Sequence, residues 1–137
     1  MPFELVIVTP RSEAFRGPVD SVVLPGSEGD FGVLEHHERF LTPLRQGEVE
    51  IRTGAGSRWA AIASGFARVE GQSVSVLVED CRLAEEIDVA AEQAAADAAE
   101  QALGSFGRSV DPAERAVHAA ALASARNRLA VAQRARR

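Results

Sequence analysis

The sequence predicts an antiparallel β-sandwich followed by an antiparallel two-helix hairpin. Three observations carry that reading. Apolar residues alternate with polar ones up to Ala84, the stretch from Glu85 to Leu103 is alanine-dominated without Pro or Gly, and Asp111-Pro112 opens a second alanine-rich run. The expected division of the 137 residues is therefore a sandwich over 1–84 and a helical hairpin over 85–137.

Within the first part, Val49 and Ile51 alternate with charge in Gly47-Glu48-Val49-Glu50-Ile51-Arg52-Thr53, as a half-buried strand requires. Ser73 to Glu79 repeats the alternation, while Phe3 to Thr9 and Val19 to Leu24 are β-branched runs bounded by Pro and Gly. Arg58 to Ala63 and Phe66 to Glu70 add weaker strands. No helical stretch interrupts them, which argues against parallel βαβ units because these need a crossover of roughly a dozen residues. The six Phe, one Trp and absence of Tyr leave the core to Val, Leu, Ile and Ala, with Trp59 as a core aromatic.

In the second part, Glu85, Glu86 and Asp88 favour the positive end of a helix over Glu85 to Leu103, and Gly104-Ser105-Phe106-Gly107 ends it. Asp111 is the expected N-cap and Pro112 the first helical position of a second helix running to about Arg134. The short connection makes the two helices antiparallel neighbours. Ile87, Ala91, Ala94, Ala98 and Ala102 form one expected seam stripe, and Leu122, Ala125, Leu129 and Ala132 the other. Burial is worth only ~0.8 kcal/mol per CH₂, so a seam of methyl groups docks weakly and suits an arm that exchanges partners.

Charge is segregated along the chain. All fifteen basic residues are Arg; residues 85–107 carry six acids and no Arg, while residues 108–137 carry seven Arg and two acids. Such polarity marks solvated faces or partner surfaces. One cysteine, Cys81, excludes an internal disulfide and is too few for a thiolate zinc site, consistent with a reducing compartment. The N-terminus lacks a basic leader, and no apolar run approaches the ~20 residues of a membrane helix, so a soluble, unexported chain is expected.

Candidate chemistry is sparse. Gly26-Ser27-Glu28-Gly29-Asp30-Phe31-Gly32 has glycines at phosphate-loop spacing, yet no helix follows and the chain has no Lys, so a tight turn between strands is expected. Adjacent His36 and His37 point to opposite faces if they lie in a strand, which disfavours a shared metal. His118 is expected to be an ordinary surface or seam residue. No nucleophile has a base and an orienting acid beside it, so neither catalysis nor a cofactor is expected. Two other classes compete: a nucleic-acid-binding module using the Arg-rich terminal helix, and a small sandwich enzyme. The acidic net charge of −5 and the absence of stacking aromatics beside those arginines oppose the first. A pocket of convergent polar groups is what the second would need.

Taken in order, Leu5-Val6-Ile7-Val8-Thr9-Pro10, Asp20 to Gly26, Gly29 to Leu34, His37, Phe40-Leu41-Thr42, Ser64-Gly65-Phe66-Ala67, Val74 to Glu79 and Asn127 to Ala132 resemble the epsilon subunit of bacterial rotary ATP synthases over essentially the whole chain. The resemblance implies a ten-stranded sandwich in the central stalk, against the gamma subunit and the c-ring, and a hairpin that folds back or extends toward the alpha and beta subunits to restrain ATP hydrolysis. It implies a non-catalytic subunit, peripheral at the cytoplasmic face of the membrane. It also assigns the ring-facing stretch to Glu28, Asp30 and Phe31 with His37, although Glu35-His36 and Glu38-Arg39 replace the family's proline-glycine and alanine-proline around that histidine. Arg115, Arg126 and Arg128 match the basic residues that approach an acidic segment of beta, where opposite charge is the physical warrant. The Ile/Leu-Asp-x-x-Arg-Ala element with which some members bind ATP is broken here, since Glu114 and Val117 stand at its Asp and Arg.

Overall fold

The computed structural model describes residues 2–34, 39–106 and 111–135. Ten strands come first: β1 (Phe3–Val8), β2 (Glu13–Val19), β3 (Ser21–Gly26), β4 (Gly29–Leu34), β5 (Phe40–Leu44), β6 (Gly47–Thr53), β7 (Gly56–Ile62), β8 (Gly65–Glu70), β9 (Ser73–Val78) and β10 (Cys81–Leu83). A 3-10 turn at Ala84–Glu86 leads to α1 (Val89–Ser105) and α2 (Pro112–Ala135).

The strand order is β10-β7-β6-β3-β5-β8-β9-β1-β2, with β4 paired to β3 off that path. The path turns over at β3, which pairs with β6 through Ser21 to Val23 and with β5 only at Gly26. Side chains alternate in and out along each strand, so Leu5 and Ile7 of β1, Val49 and Ile51 of β6, and Val74 and Val76 of β9 meet in one interior. Among the described residues, no helical one belongs to that principal cluster.

Three features differ from the sequence expectation. The run Val19 to Leu24 is split at Asp20, with Val19 closing β2 and Ser21 opening β3. β1 pairs antiparallel with β2 but parallel with β9, Leu5 opposite Val74 and Ile7 opposite Val76. A period of two reports which face is buried and carries no information on strand direction. Trp59 lies outside the principal core: Ala60 and Ile62 of β7 point inward, so Trp59 and Ala61 point outward, toward the helices.

Two glycines answer to backbone geometry. Gly29 has φ of 137° where the Ser27-Glu28 turn re-enters β4. At Gly65 the backbones of β8 and β9 approach so closely that an added Cβ would stand 2.0 Å from the Leu77 carbonyl oxygen.

Candidate interaction surfaces

α2 presents two faces. Leu122 and Ala125, with half-buried Leu129, meet Ala96, Ala99 and Leu103 of α1. Asn127, Val131 and Arg134 instead meet the sandwich. Val131 is fully buried against Ala61 and Ala84, with Trp59 and Ile87 beside them. Asn127, the chain's only asparagine, donates from Nδ2 to the Gly47 carbonyl at 3.0 Å and reaches the Ile62 carbonyl at 3.5 Å. Arg134 lies 3.2 Å from Glu48, its guanidinium 5.1 Å from the Trp59 ring centroid. The helical arm thus sits on a small apolar patch ringed by polar contacts rather than on a broad apolar surface.

The α2 stripe lies where the sequence expected it; the α1 stripe does not. Ala91, Ala94 and Ala98 are exposed, and the buried positions are Glu92, Ala96 and Ala99. With alanine supplying nearly all the apolar positions of α1, hydrophobic periodicity barely distinguishes one face from another, and the heavier side chains set the rotation: Leu103 enters the seam and Glu92 meets Arg128. α1 also starts later than expected. Asp88 is its N-cap, accepting from the Ala91 amide at 3.1 Å. Glu86 accepts from the Leu83 amide, and Glu85 binds Arg58 of β7 at 2.5 Å. Partial burial pushes the Glu85 carboxyl up, but hydrogen bonding to Arg58 and to its own amide, together with the Arg58 charge, outweighs this and leaves it below the usual carboxylate range. α2 begins as expected, Asp111 accepting from the Ala113 amide at 3.0 Å.

The three candidate arginines occupy different settings. Arg115 lies 5.8 Å from the Phe106 ring centroid, and Phe106 makes an edge contact with half-buried His118, centroids 5.2 Å apart. Arg126 forms an exposed pair with Glu100 of α1 at 2.5 Å. Arg128 is 22 % exposed and bridges three elements, donating to Glu92 of α1 at 3.1 Å and to Asp80, between β9 and β10, at 2.8 Å. Arg115 stands eleven residues before Arg126, about 17 Å along the helix axis.

At the β3–β4 turn, Glu28 is exposed, Asp30 pairs with Arg45, and half-buried Phe31 makes an edge contact with Phe40 at 5.8 Å between centroids. Gly26, Ser27, Glu28, Phe31, Thr42 and Pro43 line an open cleft there. His37 and His36 lie outside the described residues. Glu28, Asp30 and Phe31 therefore lie together at the β3–β4 turn, and none of them is paired with Arg115, Arg126 or Arg128.

Sequence reasoning missed an apolar row on β5, β8 and β9. Pro43, Phe66 and Leu77 stand opposite one another across the three strands, and Leu41 lies two residues from Pro43 on the same face. Leu41 is 66 %, Phe66 52 % and Leu77 50 % exposed. Alternation hid this row, because its members occupy positions where polar residues were expected. Cys81 is buried, and burial, aided by Asp80 and Glu86, pushes its thiol up to about 12. Among the described residues no group of His, Cys, Asp and Glu is arranged to hold a metal, and no helix is long and apolar enough to cross a membrane.

Residues 2–84 match the family described as ATP synthase, Delta/Epsilon chain, beta-sandwich domain. The ATP synthase epsilon chain of Geotalea uraniireducens is 36 % identical over 133 residues, covering 96 % of this chain and 94 % of the relative. That of Syntrophobacter fumaroxidans is 44 % identical over 100 residues, covering 73 % and 75 %. Among solved structures, a chain of the Euglena gracilis mitochondrial ATP synthase assembly of OSCP, F1 and c-ring superposes with a TM-score of 0.74 at 26 % identity, covering 88 % of this chain and 75 % of that one. A chain of the Tetrahymena thermophila mitochondrial central stalk and c-ring shares the fold, with a TM-score of 0.59 at 16 % identity and coverage of 94 % and 95 %. A whole-length relative, a matched sandwich domain and the two-part architecture agree: the chain belongs to the delta/epsilon family of ATP synthase and is an epsilon chain of that family.

Proposed function

We propose that the sandwich and the hairpin, residues 1–84 and 85–137, divide the work of a central-stalk subunit of the proton-translocating ATP synthase. The sandwich docks the gamma subunit and the c-ring and helps couple rotation to ATP synthesis. The hairpin engages the alpha and beta subunits and restrains ATP hydrolysis. The chain itself is non-catalytic, without a cofactor of its own, and is held peripherally at the cytoplasmic face of the membrane through its partners.

The observation that carries this reading is the separation of the two parts: the principal core contains strand residues alone, while the helices meet the sandwich through a small patch around Val131 and a set of polar contacts. An arm attached in this way can leave its host without unfolding it. The apolar row Leu41, Pro43, Phe66 and Leu77 supports gamma docking, since the helices pack on β6 and β7 instead and leave the row open. The exposed turn at Glu28 to Phe31, with His37, is assigned to the c-ring. Arg115, Arg126 and Arg128 are assigned to an acidic surface of the catalytic head. The nucleic-acid reading finds no support, since the net charge is −5 and the whole-length relative is an ATP synthase epsilon chain.

Reconstitution of the catalytic head and gamma with either the full chain or a version ending after Ala84 tests the division. Both should bind gamma, and only the full chain should slow ATP hydrolysis. Equal hydrolysis rates would remove the restraint, and failure of the shorter chain to bind gamma would remove the sandwich assignment.

A further inference from the structure

Position 128 lies between the two faces of α2. Residues 122, 125 and 129 face α1, and residues 127, 131 and 134 face the sandwich; at 100° per residue, 128 falls on the boundary. Its guanidinium uses both directions at once. One terminal nitrogen donates to Glu92 Oε1 at 3.1 Å and the other to Asp80 Oδ2 at 2.8 Å. Glu92 is 11 % exposed at its side chain, and Arg128 is the cation paired with it among the described residues. Asp80 also has Arg82 Nε at 3.7 Å, so it is shared with its own side of the sandwich. No other described side chain pairs with both α1 and the sandwich.

We propose that Arg128 makes closure of the hairpin and docking of the hairpin one event. If α2 leaves the sandwich, Arg128 loses Asp80 and the fixed position from which it meets Glu92. If α1 swings away, the low-exposure site that orients the guanidinium toward Asp80 is lost. Each ion pair therefore holds the other's geometry, and the arm is released as a unit with α1 and α2 parting together. Leu122, Ala125 and Leu129 on one face, and Val131 and Asn127 on the other, supply two modest seams, and the shared guanidinium couples them. This linkage belongs to the isolated chain and stands whether or not the arm restrains hydrolysis.

The test uses the full chain in a Cys81→Ala background with two label pairs at exposed positions. Ala55→Cys with Ala120→Cys reports docking, and Ala98→Cys with Ala120→Cys reports closure. Both distances are followed by electron-spin distance measurement as sodium chloride rises to about 2 M, where ion pairs are screened. The two transitions should share one midpoint. Asp80→Asn, which touches only the docking arm, and Glu92→Gln, which touches only the closure arm, should each raise the open fraction seen by both pairs by the same factor, about fivefold for a loss near 1 kcal/mol. Separate midpoints, or an Asp80→Asn chain that opens at the docking pair while the closure pair stays shut, would overturn the proposal. So would an unchanged open fraction at both pairs in both variants.

Discussion

The sandwich and the hairpin are built from the same aliphatic alphabet and use it differently. In the sandwich, Leu5, Ile7, Leu24, Ile51 and Ile62 are fully buried, so branched side chains from several strands fill one interior. In the hairpin, two alanines of α1 face Leu122 and Ala125, and a single fully buried valine, Val131, anchors the arm to its host. Burial free energy scales with apolar area, so the first arrangement holds a fold and the second holds a position. The difference concentrates the large buried side chains in one part and leaves the other with lighter seams.

The largest expected effect comes from disturbing the sandwich. Gly65→Ala forces β8 away from the Leu77 carbonyl, and Ile51→Ala opens a cavity worth about 2–5 kcal/mol. Urea unfolding should show both as a lowered midpoint for the strands. Next is the arm's anchor. Val131→Ala removes two buried carbons' worth of packing, about 1–2 kcal/mol; amide exchange should quicken in α2 while the sandwich midpoint stays put. A sandwich midpoint that falls with Val131 would merge the two parts into one cooperative unit.

Smaller again is the acid dependence of the linker. Glu85 is held below its ordinary range in the folded state, so its contribution is present at neutral pH and is lost as pH falls through that lowered value. Arg58→Gln removes the partner, and the acid limb of the stability profile should flatten by that one group. The smallest effect on stability is expected at Arg126. Its pair with Glu100 is exposed, and such pairs contribute ~0–1 kcal/mol, so Arg126→Ala should leave thermal unfolding unchanged. In the reconstituted head, however, an Arg115→Ala, Arg126→Ala double change, which spares the Arg128 bridge, should weaken the restraint on hydrolysis; full restraint would discharge both residues from that role.

The sandwich was legible because inward and outward positions alternate in strands such as Gly47–Thr53 and Ser73–Val78, and the hairpin because Asp111-Pro112 opens its second helix; Gly104, where the first helix is expected to break, lies inside α1, which runs on to Ser105. Strand direction was not legible: the parallel β1–β9 pair joins segments some seventy residues apart, and no local pattern encodes it. Nor was the rotation of α1, where alanines spread over several faces left Glu92, Leu103 and their partners to choose the buried one. The arginines of α2 could be singled out by charge. Their division between Glu100, Glu92 and Asp80 could not, because Asp80 and Arg128 are brought together only by the docking of the arm. Trp59 packs on the small apolar cluster beneath the arm and not in the sandwich interior, because one residue along a strand reverses the face shared by Ala60 and Ile62.

Native-state hydrogen exchange of the isolated full chain tests the central claim most directly, since it reads the opening free energy of each element in one molecule. The account predicts that α1 and α2 exchange through an opening that leaves β1, β8 and β9 protected, and that the strands exchange only with global unfolding. Helices and strands sharing one opening free energy would contradict it, for the arm would then be part of the same cooperative fold as the sandwich it sits on.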